Sequence, residues 1–378
     1  MTDSELMQLA LRLARRGYGL TSPNPMVGAV LVKDGRIIGR GWHRGAGMPH
    51  AEIEAIQDAM SRGHSPHNAT LFVTLEPCSS YGRTPPCTKT IIESGIKRVV
   101  IGAIDPNPRH SGRGVRILRR AGVAVTTGVV ADRCMRLNEA FNHWIVHRTP
   151  FVTVKAAMTL DGKIATATGE SKWITGIRAR TYAMKLRQGT DAILVGINTV
   201  LADNPALTVR LRTTTNIPTR SKQPRRIVLD SMARTPLIAR VVCDELAPLT
   251  TIVVSEHAPK MRVIALASRV NVLVAPLAEP QEQKRPLQIN PAWLLKKLGA
   301  QDVTSLLVEG GGEVNASFLL GGLAHRIAFF YSPKVIGGRH ALKAVAGAGA
   351  KSLADAVHLD DVQWRRLGED LLLTARIK

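Results

Sequence analysis

His50-Ala51-Glu52, together with Cys78 and Cys87, are residues whose types and spacing suit chemistry. Zinc takes neutral imidazole and thiolate ligands in a tetrahedron, so one histidine and two cysteines fill three positions and leave the fourth for water. A metal held this way lowers the pKa of that water from about 15.7 toward about 7, which makes hydroxide available near neutrality. Glu52 stands two positions past His50. From there its carboxylate reaches the water without binding the metal, and can carry a proton to a leaving amine. Read singly, these residues are ordinary: His50 and Glu52 open an amphipathic helix, and the cysteines are candidate core residues. Read together they point to a catalytic zinc centre, with a purely structural zinc as the alternative.

A second stretch, "LLVEGGGEVNASFLL" at 306–320, has a different capacity. An apolar strand ends at Glu309, three glycines follow, and then a helix begins. Glycines let backbone N–H groups approach a phosphate, and a helix N-terminus favours negative charge. The pattern matches neither the dinucleotide fingerprint nor the Walker loop, so a tight structural turn remains the other reading.

These residues need elements to position them. Apolar spacing predicts a helix over 4–18, broken by Pro23 and Pro25. A β-hairpin follows around Asp34-Gly35, then a helix from about His50 and a β-run that ends at Pro77-Cys78. Cys87 opens the next helix, and strand–helix alternation continues to about residue 147. A fresh β-run begins near 150, with further strands within "TDAILVGINTVLADNPALTVR", "PRRIVLDS", "LTTIVVSE", "NPAWLLKKLGAQDVTSLLVEGGGEVNASFLLGGL", "AHRIAFFYSPKVIGG" and "DLLLTARI". The alternation predicts α/β layers in both halves, with domains at 1–147 and 148–378. Segments 211–224 and 276–291 read as polar, Pro-broken surface loops. No internal repeat is evident.

The length, 378 residues, suits two or three domains. A hydrophobic fraction of 45% excludes a mainly disordered chain, and no run approaches the ~18 apolar residues of a membrane span. The segment "MTDSELMQLALRLARRGYGL" lacks the basic start and continuous apolar stretch of a signal peptide, so a cytoplasmic protein without a membrane partner is expected. Four cysteines are too few for a disulfide framework. The net charge of +22 favours anionic partners such as phosphorylated metabolites or nucleotide cofactors, or simply solubility. Aromatics are only 4%, and there is no basic tail, so a stacking platform for nucleic acid is not expected.

The His-x-Glu … Pro-Cys pattern is similar to that of zinc nucleobase deaminases, except that eight residues separate the cysteines here, where that pattern has two. "TLEPCSSYGRTPPC", "SPNPMVGAVLVKDGRIIGRGWH" and "DPNPRHSGRGVRILRRAGV" resemble the deaminase half of the bifunctional bacterial riboflavin-biosynthesis deaminase/reductase family. "VKAAMTLDGKIATATGESKWITG", "DAILVGINTVLADNPALTVR" and "RIVLDS" resemble its reductase half. The resemblance implies a cytidine-deaminase-like three-layer domain followed by a dihydrofolate-reductase-like domain, with Zn2+ and NADPH as cofactors. It implies a phosphorylated diaminopyrimidine substrate whose 2-amino group leaves as ammonia, followed by reduction of the ribosyl to a ribityl chain. It also implies His50, Cys78 and Cys87 as zinc ligands, Glu52 as the catalytic proton carrier, and Asn24 and His43 at the pyrimidine. Ala157, Trp173, Thr199, Asp203, Ser231 and the turn Gly311, Gly312, Glu313, Val314, Asn315, Ala316 and Ser317 become NADP contacts. Ser171, Arg187, Leu207, Arg210 and Glu309 become substrate contacts, and Lys155 reaches the reacting ribose end. A homo-oligomer, dimer or tetramer, is expected.

Plainer readings stand beside these: Asn24 and Asp161 as turn residues, His43 and Lys155 as strand-end or strand-edge residues, Arg187 and Arg210 as surface charge. Two rival functions share some of the features. A zinc deaminase acting on tRNA adenosine conflicts with the cysteine spacing and leaves the second domain without a role. A non-catalytic, zinc-stabilised nucleic-acid-binding protein predicts binding with a steep salt dependence.

Overall fold

A computed structural model describes residues 1–81, 85–210, 222–277 and 289–378. The loops expected at 211–224 and 276–291 lie mostly outside these residues, as does Gly82-Arg83-Thr84 between the two cysteines. The chain divides into two compact units, Met1–Arg148 and Thr149–Lys378.

The first unit runs α1 (Asp3–Ala14), β1 (Gly28–Lys33), β2 (Arg36–Trp42), α2 (Ala51–Ser61), β3 (Thr70–Leu75), α3 (Cys87–Glu93), β4 (Arg98–Ala103), α4 (Arg113–Arg120), β5 (Ala124–Thr127), α5 (Ala131–Leu137) and α6 (Glu139–His147). Its sheet has the order β2-β1-β3-β4-β5. The expected hairpin is present: Lys33 pairs with Arg36 across Asp34 at φ 49° and Gly35 at φ 73°. Two consecutive positive φ values match the twist of the flanking strands, and Asp-Gly adopts them readily. Alternate strand residues face opposite layers. Ala29, Leu31, Leu71, Val73, Val99 and Ile101 pack against α2, α3 and α4. Val30, Phe72 and Val100 pack against Leu6, Met7 and Ala10 of α1 and Cys134 of α5. Three layers follow from that alternation. Gly41 in β2 lets α2 come close, since a Cβ there would lie 2.2 Å from the Ala51 carbonyl oxygen.

The second unit runs β6 (Phe151–Thr159), β7 (Lys163–Ala165), α7 (Ile177–Gln188), β8 (Ala192–Gly196), α8 (Ile197–Asp203), β9 (Arg225–Leu229), α9 (Arg240–Cys243), β10 (Thr250–Ser255), α10 (Lys260–Ala267), β11 (Asn271–Ala275), α11 (Pro291–Ala300), β12 (Ser305–Val308), α12 (Gly312–Leu319), β13 (Arg326–Ser332), β14 (Leu342–Lys343), β15 (Leu359–Leu367) and β16 (Asp370–Ile377). Nine strands form one sheet, β11-β10-β9-β8-β12-β6-β13-β16-β15. It is parallel from β11 to β13, with β16 and β15 antiparallel at one edge. The parallel strands read as continuous apolar runs because both faces are covered. Leu294, Leu298 and Phe318 cover one face, and Val200, Val241 and Leu266 the other. The ends of β6, β12, β8 and β9 therefore lie along one edge, where open α/β sheets bind ligands.

Arg226, part of an apparently basic Arg225-Arg226 pair, is fully buried. It holds both Asp244 carboxylate oxygens at 2.7 Å and donates to the Thr250 hydroxyl and to the Ala206 and Val241 carbonyls. Its charge ties the loop after α8 to α9 and is not part of the surface field.

Candidate active sites

In the first unit the chain delivers three metal-ligand atoms to one point. His50 is the N-cap of α2, Cys78 follows β3, and Cys87 is the first residue of α3 after Pro86. The His50 Nδ1 lies 3.5 Å from Cys78 Sγ and 3.3 Å from Cys87 Sγ. The ligand atoms all fall within 4.8 Å of one another. Ideal zinc–nitrogen and zinc–sulfur bonds at a tetrahedral angle separate nitrogen from sulfur by roughly 3.6 Å, so these residues fit zinc. The Cys87 backbone N–H, at the start of α3, donates to Cys78 Sγ at 3.2 Å. A hydrogen bond from Cys87 pulls the Cys78 thiol down to about 4, despite burial and with help from His50. The same interaction and burial push the Cys87 thiol up. The bond to Cys78 raises His50 to about 9.

Glu52 is 3% exposed, on the inner side of the first turn of α2. Burial lifts its carboxyl to about 7, against the downward pull of His50. A carboxyl poised near neutrality suits a group that takes and returns protons. Beside it, His43 is almost fully buried, donates from Nδ1 to the Pro49 carbonyl at 3.1 Å and accepts at Nε2 from the Asn24 amide at 3.1 Å. Burial lowers the pKa of His43, so the ring is neutral and its tautomer is set by these two partners. His43 also meets the His50 ring edge-on at 5.3 Å. The expected residues Asn24, His43, His50, Glu52, Cys78 and Cys87 thus share one site.

Sequence reasoning missed Glu76, one residue before Pro77-Cys78. Its buried carboxylate accepts from the backbone N–H groups of Asp105, Gly112 and Val115 at 3.2, 2.9 and 3.2 Å. It ties the cysteine loop to the start of α4. The only signal in the sequence is an acidic residue at the end of an apolar strand.

In the second unit Arg187 and Glu309, 122 positions apart, form a two-pronged pair at 2.7 and 2.9 Å. Lys155 Nζ lies 3.7 Å from the same carboxylate. Burial alone would raise the Glu309 carboxyl, but Arg187 and Lys155 outweigh it and hold it at about 2. Arg187 also donates to the Thr208 carbonyl, so it is a buried linchpin, whereas Arg210 is exposed. Ser171 and Lys172 both reach Asp203, at 3.5 and 3.7 Å. The exposed Trp173 ring lies under the Arg180 guanidinium at 4.5 Å, and its carbonyl accepts from Lys334. Leu207 is buried in the core, with its backbone at φ 51°.

The glycine turn caps β12. Gly311 is the N-cap of α12, and a Cβ on it would meet only Thr199 Oγ1, at 3.9 Å, so the space before it is open. Gly312 is different, since a Cβ there would lie 2.2 Å from the Lys343 carbonyl. Glu313 is exposed and Val314 half-buried, while Asn315 and Ala316 are interior and the Asn315 amide donates to the Ala344 carbonyl at 2.8 Å. Ser317 bonds back to the Glu313 carbonyl. Ala157 is half-buried in β6, Thr199 half-buried in α8 and Ser231 half-buried beyond β9. Asp161 lies by a different segment: it accepts from Thr159 and from the N–H groups of Ile336 and Gly337.

A family model described as the RibD C-terminal domain matches residues 150–373. A cytidine and deoxycytidylate deaminase zinc-binding region matches residues 1–103. The riboflavin biosynthesis protein RibD of Aquifex aeolicus is 43% identical, covering 98% of this chain and 97% of its own. The chain belongs to the RibD family. Its Escherichia coli member is 38% identical over 99% of both chains. Among solved structures, Acinetobacter baumannii RibD aligns with a TM-score of 0.85 at 34% identity, over 100% of this chain and 99% of that one. A Thermotoga maritima protein described as a diaminohydroxyphosphoribosylaminopyrimidine deaminase/5-amino-6-(5-phosphoribosylamino)uracil reductase aligns at 0.82 and 37% identity, over 100% and 99%. As a RibD family member, the protein is a bifunctional enzyme of riboflavin biosynthesis that pairs a zinc-dependent deaminase with an NADPH-dependent reductase. The α/β class and the deaminase and reductase folds expected from the sequence agree with this membership. No helix among the described residues is long and apolar enough to cross a membrane.

Proposed function

We propose that the deaminase occupies residues 1–147 and the reductase 148–378, and that the substrate is a diaminopyrimidinone carrying a phosphoribosylamino group. The observation that supports the first step most directly is the convergence of His50, Cys78 and Cys87 beside a buried carboxylate. Zinc held by those three residues supplies activation of water near neutral pH. Glu52 accepts the proton of the attacking water and passes protons to the ring nitrogen and the departing 2-amino group, which leaves as ammonia. Asn24 and His43 flank the pyrimidine, with His43 neutral and fixed by the Pro49 carbonyl.

In the reductase, NADPH supplies the hydride for C1′ of the opened ribosylamino group. The open Gly311 turn, Thr199 and Ser231 would hold its diphosphate side, and Ala157 and Trp173 its nicotinamide end. Lys155, held by Glu309, donates to the ribose oxygen as the sugar ring opens, and Arg187 keeps Glu309 ionised and in place. Arg210, exposed beside Leu207, meets the phosphate dianion. The cysteines are all free, which suits a cytoplasmic setting. The edge strand β15 exposes Val362 and Trp364, a surface a second copy would cover in a homo-oligomer.

Glu52→Gln tests the central assignment in the two-domain chain. It should abolish ammonia release from the diaminopyrimidinone, yet leave NADPH oxidation intact when the deaminated intermediate is supplied. Deamination at the wild-type rate would remove Glu52 from its role.

A further inference from the structure

Asn24 stands on a segment with few means of holding itself. Residues 18–27 lead into β1 without a helix or strand. Pro23 and Pro25 have no N–H to donate, and the Asn24 N–H goes to the Thr21 carbonyl at 2.8 Å. Two residues on, both backbone groups of Met26 are taken by one side chain. The Met26 N–H donates to Asn138 Oδ1 at 2.8 Å, and the Asn138 amide donates to the Met26 carbonyl at 2.9 Å. A side chain 112 positions away thus pairs this residue as a neighbouring strand would.

Asn138 is itself fixed. It ends α5 and caps α6. Its N–H goes to the Met135 carbonyl at 3.2 Å, and its carbonyl accepts from the Asn142 N–H at 2.8 Å. The residue is 5% exposed, so water scarcely competes for its amide. From Met26 the constraint runs both ways along the chain. On one side, across Pro25, the Asn24 amide donates to His43 Nε2 at 3.1 Å. On the other, the Val27 carbonyl accepts from the His43 N–H at 2.9 Å. The His43 ring passes on to the carbonyl of Pro49, the neighbour of His50.

We infer that Asn138 is a positioning residue of the deaminase, acting through Met26 to hold Asn24, and with it the His43 ring, where the pyrimidine binds. This rests on the placement of Asn24 and His43 proposed above. The pairing needs one acceptor and one donor at a fixed reach. Asparagine supplies both, whereas an ionised aspartate of the same shape offers acceptors alone and leaves the Met26 carbonyl facing a carboxylate.

The test uses the two-domain chain carrying Asn138→Ala, Asn138→Asp, Asn24→Ala, or Asn24→Ala with Asn138→Ala. Ammonia release from the diaminopyrimidinone, bound zinc, and NADPH oxidation with the deaminated intermediate are measured on each. Both single Asn138 variants should lower kcat/KM for ammonia release by roughly ten- to hundredfold. Bound zinc and NADPH oxidation should be retained, since the metal ligands sit on other segments. Residues that act as one unit are non-additive, so in the Asn24→Ala background Asn138→Ala should cost less than about threefold more. Additive losses would overturn the inference, because Asn138 would then act by another route. Loss of zinc in step with ammonia release would overturn it too, making Asn138 a support of the fold alone. Wild-type ammonia release by both Asn138 variants, with Asn24→Ala impaired, would overturn the inference and leave the pyrimidine placement standing. If Asn24→Ala deaminates at the wild-type rate, that placement fails and the inference fails with it.

Discussion

Replacing Gly41 with alanine probes how tightly the zinc site depends on the packing beneath it. Gly41 lies in β2, under the first turn of α2. A Cβ there would sit 2.2 Å from the Ala51 carbonyl oxygen, 2.4 Å from the Ala55 nitrogen and 2.9 Å from the Glu54 Cβ. The first two are backbone atoms, so no side-chain rotation relieves the clash. Ordinary contact begins near 3.4 Å, so the helix must withdraw by roughly 1 Å, and overpacking of this kind costs about 1–3 kcal/mol. Ala51 lies between His50 and Glu52, so the proposed metal ligand and proton carrier move with it. Metal–ligand distances tolerate only about ±0.2 Å, and a misplacement of about 1 Å costs on the order of a hundredfold in rate. Gly41→Ala should therefore lower ammonia release by about that factor and reduce bound zinc. NADPH oxidation with the deaminated intermediate is the internal control and should be retained. Wild-type ammonia release with a full complement of zinc would refute the reasoning.

Two further outcomes concern the reductase. Gly311→Val places a side chain in open space, so the melting temperature should hold while the KM for NADPH rises. Gly312→Ala, whose Cβ would strike the Lys343 carbonyl at 2.2 Å, should instead lose stability. Glu309, held at about 2 in the fold, lies below its ordinary value of 4.5. Its ion pair therefore contributes fully above pH 4.5, and that contribution fades as the pH falls toward 2. Glu309→Gln should destabilise the second unit by about 3 kcal/mol at pH 7. Denaturation curves should show this deficit shrinking between pH 4.5 and 2. A deficit independent of pH would remove the ion pair as its cause.

Much of the architecture was legible from periodicity. The Asp34-Gly35 hairpin, the start of α2 at His50 and the apolar parallel strands follow from turn chemistry and patterning. Among the elements that were not legible are α7, β15, β7 and β14, each for a physical reason. The buried face of α7 is Ala179, Ala183 and Arg187, small and charged side chains that leave no apolar stripe to read. β15 is an edge strand exposed along most of its length, so its sequence lacks the alternation of a half-buried strand. β7 and β14, three and two residues long, are too short for any period to show.

The sequence alone specified the candidate metal set, because ligand chemistry depends on residue type: imidazole, two thiolates and a carboxylate close by along the chain. It also specified the glycine turn before α12, since only glycine leaves that approach open. Tertiary structure decided what each charge does. Arg226 and Arg187 look like any other arginine in a chain of net charge +22. Folding buries the first on Asp244 and the second on Glu309, 122 positions away, and leaves Arg210 and Arg234 exposed. Pairing energies and desolvation costs depend on distance through space and on local burial. Neither quantity exists until the strands are in register.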